Sequence, residues 1–345
     1  MTTETRLEAD SIGTMEVPAE AYYGVQALRA KQNFPITGAK LHPVFIKNLA
    51  QVKKAAAITN NNAGLLPKDK ADAIVRACDE VIAGKWAEEF IVDAIQGGAG
   101  TSANMNMNEV IANRAGELLG CPKGSYKMVH PNDHVNMAQS TNDVIPTAGK
   151  LTVLDLLAPL EKALGRLERE LAKKAEEFDD VITMGRTQLQ DAVPIRLGQV
   201  FHGYASMVAR DRKRIEKAHK EMYTVNLGGT AVGTAINVSD SYFYKIVPNL
   251  EKLTGYPLRT ENLDGFVAVS GVIKTCAVDL SKMCNDLRLM SSGPKTGFGE
   301  INLPAKQNGS SIMPGKVNPV IPEVVSQVAF HIVGHDTTIN MAAEA

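Results

Sequence analysis

Four short polar, glycine-rich islands carry side chains that could bind and turn over a small acid. They are Gly97-Gly98-Ala99-Gly100-Thr101-Ser102, Gln139-Ser140-Thr141-Asn142-Asp143, Gly185-Arg186-Thr187-Gln188 and the loop from Gly309-Ser310-Ser311 through Lys316-Val317-Asn318-Pro319. Each offers hydroxyls, amides and backbone N–H groups, the convergent donors that a small carboxylate needs more than apolar area. In the fourth, Lys316 and Asn318 stand just before a helix that starts on proline. An ammonium, an amide and the positive end of a helix dipole there make an anion site.

Each island also has a structural reading. Ser140 to Asp143 fits a helix N-cap. Gly97 to Ser102 fits a tight turn better than a phosphate cradle, since it contains neither GxGxxG nor GxxxxGK[ST]. Thr187-Gln188, ahead of a helix start at Pro194, reads equally as turn or site. His130 and His134, flanking Pro131-Asn132-Asp133, read as turn and helix-start residues. There is no HExxH, no clustered acids for a divalent metal, no nucleotide loop and no GxSxG elbow. The expectation is no metal and no cofactor, which leaves acid/base chemistry on a small acid if the chain is an enzyme.

Helices have to hold these islands, because apolar residues recur every three or four positions over long stretches. Leu151, Leu154, Leu157, Leu160, Leu164, Leu167, Leu171 and Phe178 mark one amphipathic helix. A second stripe runs from Leu197 through Phe201, Tyr204, Val208, Ile215 and Met222, and a third from Phe266 through Val269, Ile273, Ala277, Cys284 and Leu287. A fourth follows Pro319 through Val320, Val324, Val328, Ile332 and Ile339. Helices of this length stabilise one another by packing. Shorter patterns at Val44–Asn60, Lys68–Ile82 and Asn106–Leu119 predict a small N-terminal α domain over 1–139, followed by a long-helix bundle over 140–345. The fold class expected is all-α. The last pattern stops at Met341-Ala342-Ala343-Glu344-Ala345 without a glycine cap or terminal cation, as expected of a chain cut inside a helix.

With 37 Lys+Arg against 38 Asp+Glu, the chain has no general attraction for nucleic acid or anionic lipid. Any negative partner has to be held locally. The four cysteines are scattered and form no CxxC, so a disulfide framework is not expected and a reduced, cytoplasmic location is. No apolar run approaches a membrane span.

The Gly309 loop, extended to Glu323, resembles the GSSxMPxKxNPxxxE signature of the fumarase/aspartase superfamily. Tyr22-Tyr23-Gly24-Val25-Gln26, the Gly97 island, His130 to His134, the Ser140 island and Gly185 to Pro194 resemble further blocks of that family, in its order and across the whole chain. The resemblance implies a homotetramer with long core helices, active sites assembled from three subunits, and a family architecture that continues into a further core helix and a C-terminal domain. It implies a reversible β-elimination releasing fumarate, in which a proton leaves the carbon beside a carboxylate and the resulting aci-carboxylate must be stabilised.

Position by position, the resemblance implies Ser310 as general base. Lys316, Asn318 and Thr187 would hold the α-carboxylate. Thr101, Ser140, Thr141 and Ser311 would surround the β-carboxylate, and Asn142, with Gln188, would receive the amino group. Fumarases resemble GRTHxQD where this chain has Gln188, and SSND where it has Ser140-Thr141-Asn142-Asp143. Together with Cys284 to Gly293 and Asn318 to Val325, these stretches resemble the aspartase branch, whose substrate is L-aspartate and whose products are fumarate and ammonia. Fumarate hydration and an inactive oligomerising fragment are the alternatives. Lys295 stands where the family generally has arginine, away from the motif residues.

Overall fold

The structure, a computed structural model, describes residues 4–260, 265–307, 309, 312, 313 and 315–344. In chain order its regular elements are β1 (Thr5–Ala9), β2 (Thr14–Pro18), α1 (Val25–Asn33), α2 (Pro43–Asn62), α3 (Lys68–Ile82), α4 (Thr101–Leu118) and α5 (Thr141–Glu177). Then come β3 (Ile182–Thr187), β4 (Gln190–Arg196), α6 (Leu197–His219), β5 (Thr224–Val225), α7 (Asp240–Thr254), β6 (Arg259–Thr260), α8 (Phe266–Met290) and α9 (Val320–Glu344). The all-α expectation holds: the strands described form only three two-stranded pairs.

Packing divides the chain into two compact units, Met1–Asp155 with Met222–Leu263, and Leu156–Glu221 with Asp264–Ala345. A cut by helix length at 139/140 does not coincide with this cut by packing. The reason is that α5 is continuous through 155/156 and residues 222–263 belong with the first unit.

In the first unit, Tyr22-Tyr23-Gly24 leads into α1. Gly24 has to lack a side chain, because a Cβ there would lie 2.5 Å from the Tyr126 hydroxyl and 2.6 Å from Glu8 Oε2. The α1 N-terminus is capped from afar: buried Glu109 of α4 accepts the N–H groups of Gly24, Gln26 and Ala27 at 2.9, 2.8 and 3.1 Å. These bonds satisfy the orphan donors of a first turn. Helix α2 packs on α3 and α7, with Leu49, Val52, Ala56, Ile74, Ile111 and Ile246 buried. Helix α7 was not among the sequence expectations. Its stripe Tyr242, Ile246, Val247, Leu250 is buried, yet Pro248 inside it reads as a breaker.

In the second unit, the turn just after α5 lies against α6 through Phe178 and Phe201, whose ring centroids are 5.2 Å apart. Tyr204 of α6 donates to Asp286 of α8 at 2.9 Å. Helices α8 and α9 are joined by buried Asp336, which accepts from Lys274 at 2.5 Å and Ser270 at 2.7 Å. One expectation is corrected here: Pro194 sits inside β4, opposite Met184, and the helix begins at Leu197. A two-stranded hairpin consists only of edge strands, the position in a sheet that tolerates proline.

Gly198, in the first turn of α6, is where that helix meets the end of α5. An added Cβ would stand 2.3 Å from the Ala175 carbonyl oxygen and 2.8 Å from Asp179 Cα. Both obstacles are backbone, so neither rotates away. Gly198→Ala is expected to destabilise the protein by about 2–3 kcal/mol, the cost of overpacking. Urea unfolding checks this, and an unchanged midpoint would show that the two helices can part freely.

Candidate active site

Ser140 and Asp143 cap α5 reciprocally. Ser140 Oγ accepts the Asn142 N–H at 3.3 Å, and the Asp143 carboxylate accepts the Ser140 N–H at 2.9 Å. The cap reading of this island is therefore what the structure shows. It also leaves Ser140 and Thr141 on the wall of a cavity of about 690 Å³, with Asn136, Thr230 and Asn237. Asn142 is exposed, and its Nδ2 donates to the Ala231 carbonyl at 2.8 Å. That bond fixes the amide orientation, with Nδ2 as donor and Oδ1 as the acceptor end.

The wall is held from beneath by buried polar groups. Asp143 is fully buried, and its second oxygen accepts the N–H groups of Gly228 and Thr230, both at 3.1 Å. Burial pushes its carboxyl up in pKa, against the pull of those N–H groups and of Lys53. Lys53 is itself fully buried and donates to Asn136 Oδ1 at 2.8 Å and Gln139 Oε1 at 2.9 Å. Burial pushes it down to about 7, while the Asp143 charge works in the opposite direction. Asn104 and Asn108 of α4 donate to the same Asn136 oxygen at 3.1 and 3.2 Å. The turn between 136 and 139 is thus fixed by amides and one ammonium rather than by apolar packing.

Thr101 opens α4, and its hydroxyl donates to the Gly98 carbonyl at 2.6 Å. Gly98, Ala99 and Gly100 have φ of 88°, 51° and 88°, the tight turn expected of this island. A Cβ on Gly100 would lie 2.9 Å from Ile145 Cγ2, so the starts of α4 and α5 touch. Thr101 lines a separate cavity of about 140 Å³ with Arg29 and Asp10, which pair bidentately at 2.9 and 3.0 Å. His130 Nδ1 accepts the N–H groups of Asn132 and Asp133 at 3.3 Å, in keeping with a capping role.

In the second unit, Thr187 pairs with Gln190, and Gln188-Leu189 form the two-residue turn between β3 and β4. Their φ values are 52° and 62°. Hairpin turns of the primed type demand this, and non-glycine residues adopt it at a cost of roughly 1 kcal/mol or more each. Thr187 and Gln188 are exposed at the tip.

The Gly309 loop closes on itself. Gly309 donates to the Lys316 carbonyl at 2.8 Å, and Asn318 Nδ2 donates back to the Gly309 carbonyl at 3.3 Å. Gly309 permits the approach, since a Cβ would be 2.3 Å from the Lys316 oxygen. Lys316 is exposed, Asn318 is half-buried just before α9, and both line a cavity of about 820 Å³ with Arg288, Ser292 and Ile301. Ser310 and Ser311 lie outside the described residues.

The structure therefore brings together Ser140, Thr141 and Asn142 with Thr101 nearby, Thr187 with Gln188, and Lys316 with Asn318. Sequence reasoning missed the stretch Asn226 to Asn237, which forms part of the first cavity. Its signal was present: with glycines at 228, 229 and 233 and an asparagine at each end, it is a fifth island of the same composition. Lys53 gave no such signal, because a buried ion in a helix reads as a surface charge; Asp143 stood in the Ser140 island and read as part of its cap. No group of three or more His, Cys, Asp or Glu suited to a metal ion occurs among the described residues.

A lyase family model matches residues 13–334. An aspartate ammonia-lyase of Bacillus sp is 54% identical over 353 residues, covering 100% of this chain and 75% of that protein. The aspartate ammonia-lyase of Escherichia coli K12 is 49% identical over 356 residues, covering 100% of this chain and 74% of that protein. Among solved structures, a fumarate lyase:delta crystallin from Brucella melitensis bound to cobalt superposes with a TM-score of 0.96 at 51% identity, over 99% of this chain and 76% of that one. A class II fumarase from Schistosoma mansoni does so with a TM-score of 0.95 at 38% identity, over 99% of this chain and 77% of that one. Family match, whole-chain identity and shared fold agree, and the chain belongs to this lyase family, the fumarase/aspartase superfamily.

Proposed function

We propose that this chain is a carbon–nitrogen lyase that converts L-aspartate reversibly to fumarate and ammonia. The observation that carries the reading is the 49–54% identity, over essentially the whole chain, to aspartate ammonia-lyases of several bacteria. Two features of the site support it. The Oδ1 of exposed Asn142 is an acceptor suited to an ammonium N–H, and Gln188 offers a neutral amide where a charged imidazolium would repel a cationic leaving group.

In the proposed reaction, Ser310 takes the proton from the carbon next to the β-carboxylate. The electron pair moves into that carboxylate to give an aci-carboxylate. Its collapse forms the carbon–carbon double bond and breaks the carbon–nitrogen bond, expelling ammonia. Thr101, Ser140, Thr141 and Ser311 are assigned to the β-carboxylate, where charge builds up, and Lys316, Asn318 and Thr187 to the α-carboxylate. Hydroxyls and helix N-termini stabilise the extra charge without reorganising, and such preorganised stabilisation is the main source of rate acceleration in this kind of catalysis. Thr101 has to turn its hydroxyl from the Gly98 carbonyl to donate.

A homotetramer with shared sites is part of the proposal. Ile321, Val324, Val328 and Phe330 of α9 are each about half exposed or more, an apolar surface suited to packing on copies of the chain. No helix described is long and apolar enough to cross a membrane, and the four cysteines are free; both fit a cytoplasmic enzyme.

Fumarate absorbance during incubation with L-aspartate tests the reading. Turnover of L-malate without turnover of L-aspartate would replace it with a hydratase. Ser310→Ala is expected to lower kcat at least about a hundredfold with the fold retained; unchanged turnover removes Ser310 from the mechanism. Lys316→Ala is expected mainly to raise KM, because it deletes a point charge facing the α-carboxylate. An unchanged KM would overturn that assignment.

A further inference from the structure

Arg186 and Glu300 are used by none of the roles above, yet they join two segments that carry site residues. Arg186 directly precedes Thr187 in β3. Its guanidinium pairs with Glu300 at 2.7 Å and Asp191 at 3.2 Å, and it lies 4.2 Å from the centroid of the Phe298 ring. Thr183, on the same strand, donates to Glu300 at 3.4 Å. Glu300 is in turn tied to the end of α8: its N–H donates to the Met290 carbonyl at 2.8 Å, and the Gly299 N–H donates to the Ser292 carbonyl at 2.8 Å. Ser292, Gly299 and Ile301, which surround Glu300 in the chain or in space, line the cavity that holds Lys316 and Asn318.

The hairpin is shaped for this link. The β3–β4 register shifts between Gly185 and Arg186, and a Cβ on Gly185 would lie 2.8 Å from the Val193 carbonyl oxygen. Such a bulge re-aims the side chain beside it. Arg186 and Glu300 expose only 21% and 15% of their side chains, so water screens the pair less than it would an ordinary surface bridge.

We propose that Arg186 and Glu300 are positioning residues, a strap that holds the Thr187–Gln188 tip in register by tying the hairpin to the segment walling the Lys316–Asn318 cavity. The strap lies within one chain, so it acts on the tip whichever copy's substrate the tip faces. Binding and chemistry are sensitive to displacements of about 1 Å, so loss of the strap raises KM without removing a group that touches substrate. This inference rests on the lyase reading for its kinetic readout, and a second readout is independent of it.

The variants are Arg186→Gln, Arg186→Lys, Glu300→Gln and the double Arg186→Gln/Glu300→Gln, each in the full protein. KM and kcat for L-aspartate are measured beside amide hydrogen exchange. Expected results are a KM raised about tenfold or more in Arg186→Gln and Glu300→Gln, a smaller rise in Arg186→Lys, and a double variant no worse than the worse single. Exchange should rise in 183–196 and 293–303 and stay unchanged in α2 and α3. Additive effects in the double variant, or a KM within twofold of the parent, overturn the proposal. If the parent turns over no L-aspartate, the lyase reading fails by itself and exchange decides the strap: unchanged protection in the hairpin of Glu300→Gln overturns it.

Discussion

The Ser140–Thr141 wall of the first unit's cavity depends on one carboxylate that never meets solvent. Asp143 receives the Ser140 N–H on one oxygen and the Gly228 and Thr230 N–H groups on the other. A buried anion without such donors would be protonated or expelled. Here it locks the α5 start to the 228–230 loop, so Ser140 and Thr141 have one position relative to Thr230. Lys53 supplies the opposite charge nearby and donates its protons to the amides of the turn that delivers Ser140.

The same reliance on fixed polar groups explains a near-neutral chain proposed to bind a dianion. Thr101 and Thr141 are first residues of helices α4 and α5, and Asn318 stands two residues before α9. A helix start gathers backbone N–H groups and the positive dipole end, although at α5 and α4 Ser140 Oγ and Gln96 Oε1 already take one N–H each. Fixed dipoles of this kind stabilise a developing charge without the long-range field that would also draw polyanions. Lys316 adds a full charge, and Arg288 lines the same cavity.

The long helices were legible because apolar periodicity survives in sequence whenever one face is buried: α3 begins and ends at the expected Lys68 and Ile82, and α8 begins at Phe266. The motif islands were legible because glycine, serine and asparagine at helix entries serve local geometry. What escaped was tertiary in origin. The β3–β4 hairpin contains Pro194 and a bulge, which mask its alternation, and α7 hides behind Pro248. The burial of Lys53 and the distant partners of Asp143 were not legible, since both are decided by groups about ninety residues away in the chain.

Two kinds of constraint therefore shape the site. Ser140, Thr141 and Asn142 are over-determined: a cap, a buried carboxylate and the Ala231 carbonyl all fix the same few atoms. Thr187 and Gln188 sit on an exposed tip whose Gln188-Leu189 turn is held in the left-handed region against the preference of both residues. The Thr187–Gln190 pair closes that turn, and its persistence depends on the strands behind it and on what anchors them. A strained tip on a short hairpin needs a tether beyond its own ladder, and Arg186, bound to Glu300 and stacked near Phe298, is where the described structure provides one. Strain and tether belong together, since relaxing the turn and releasing the strap both let the same two side chains drift.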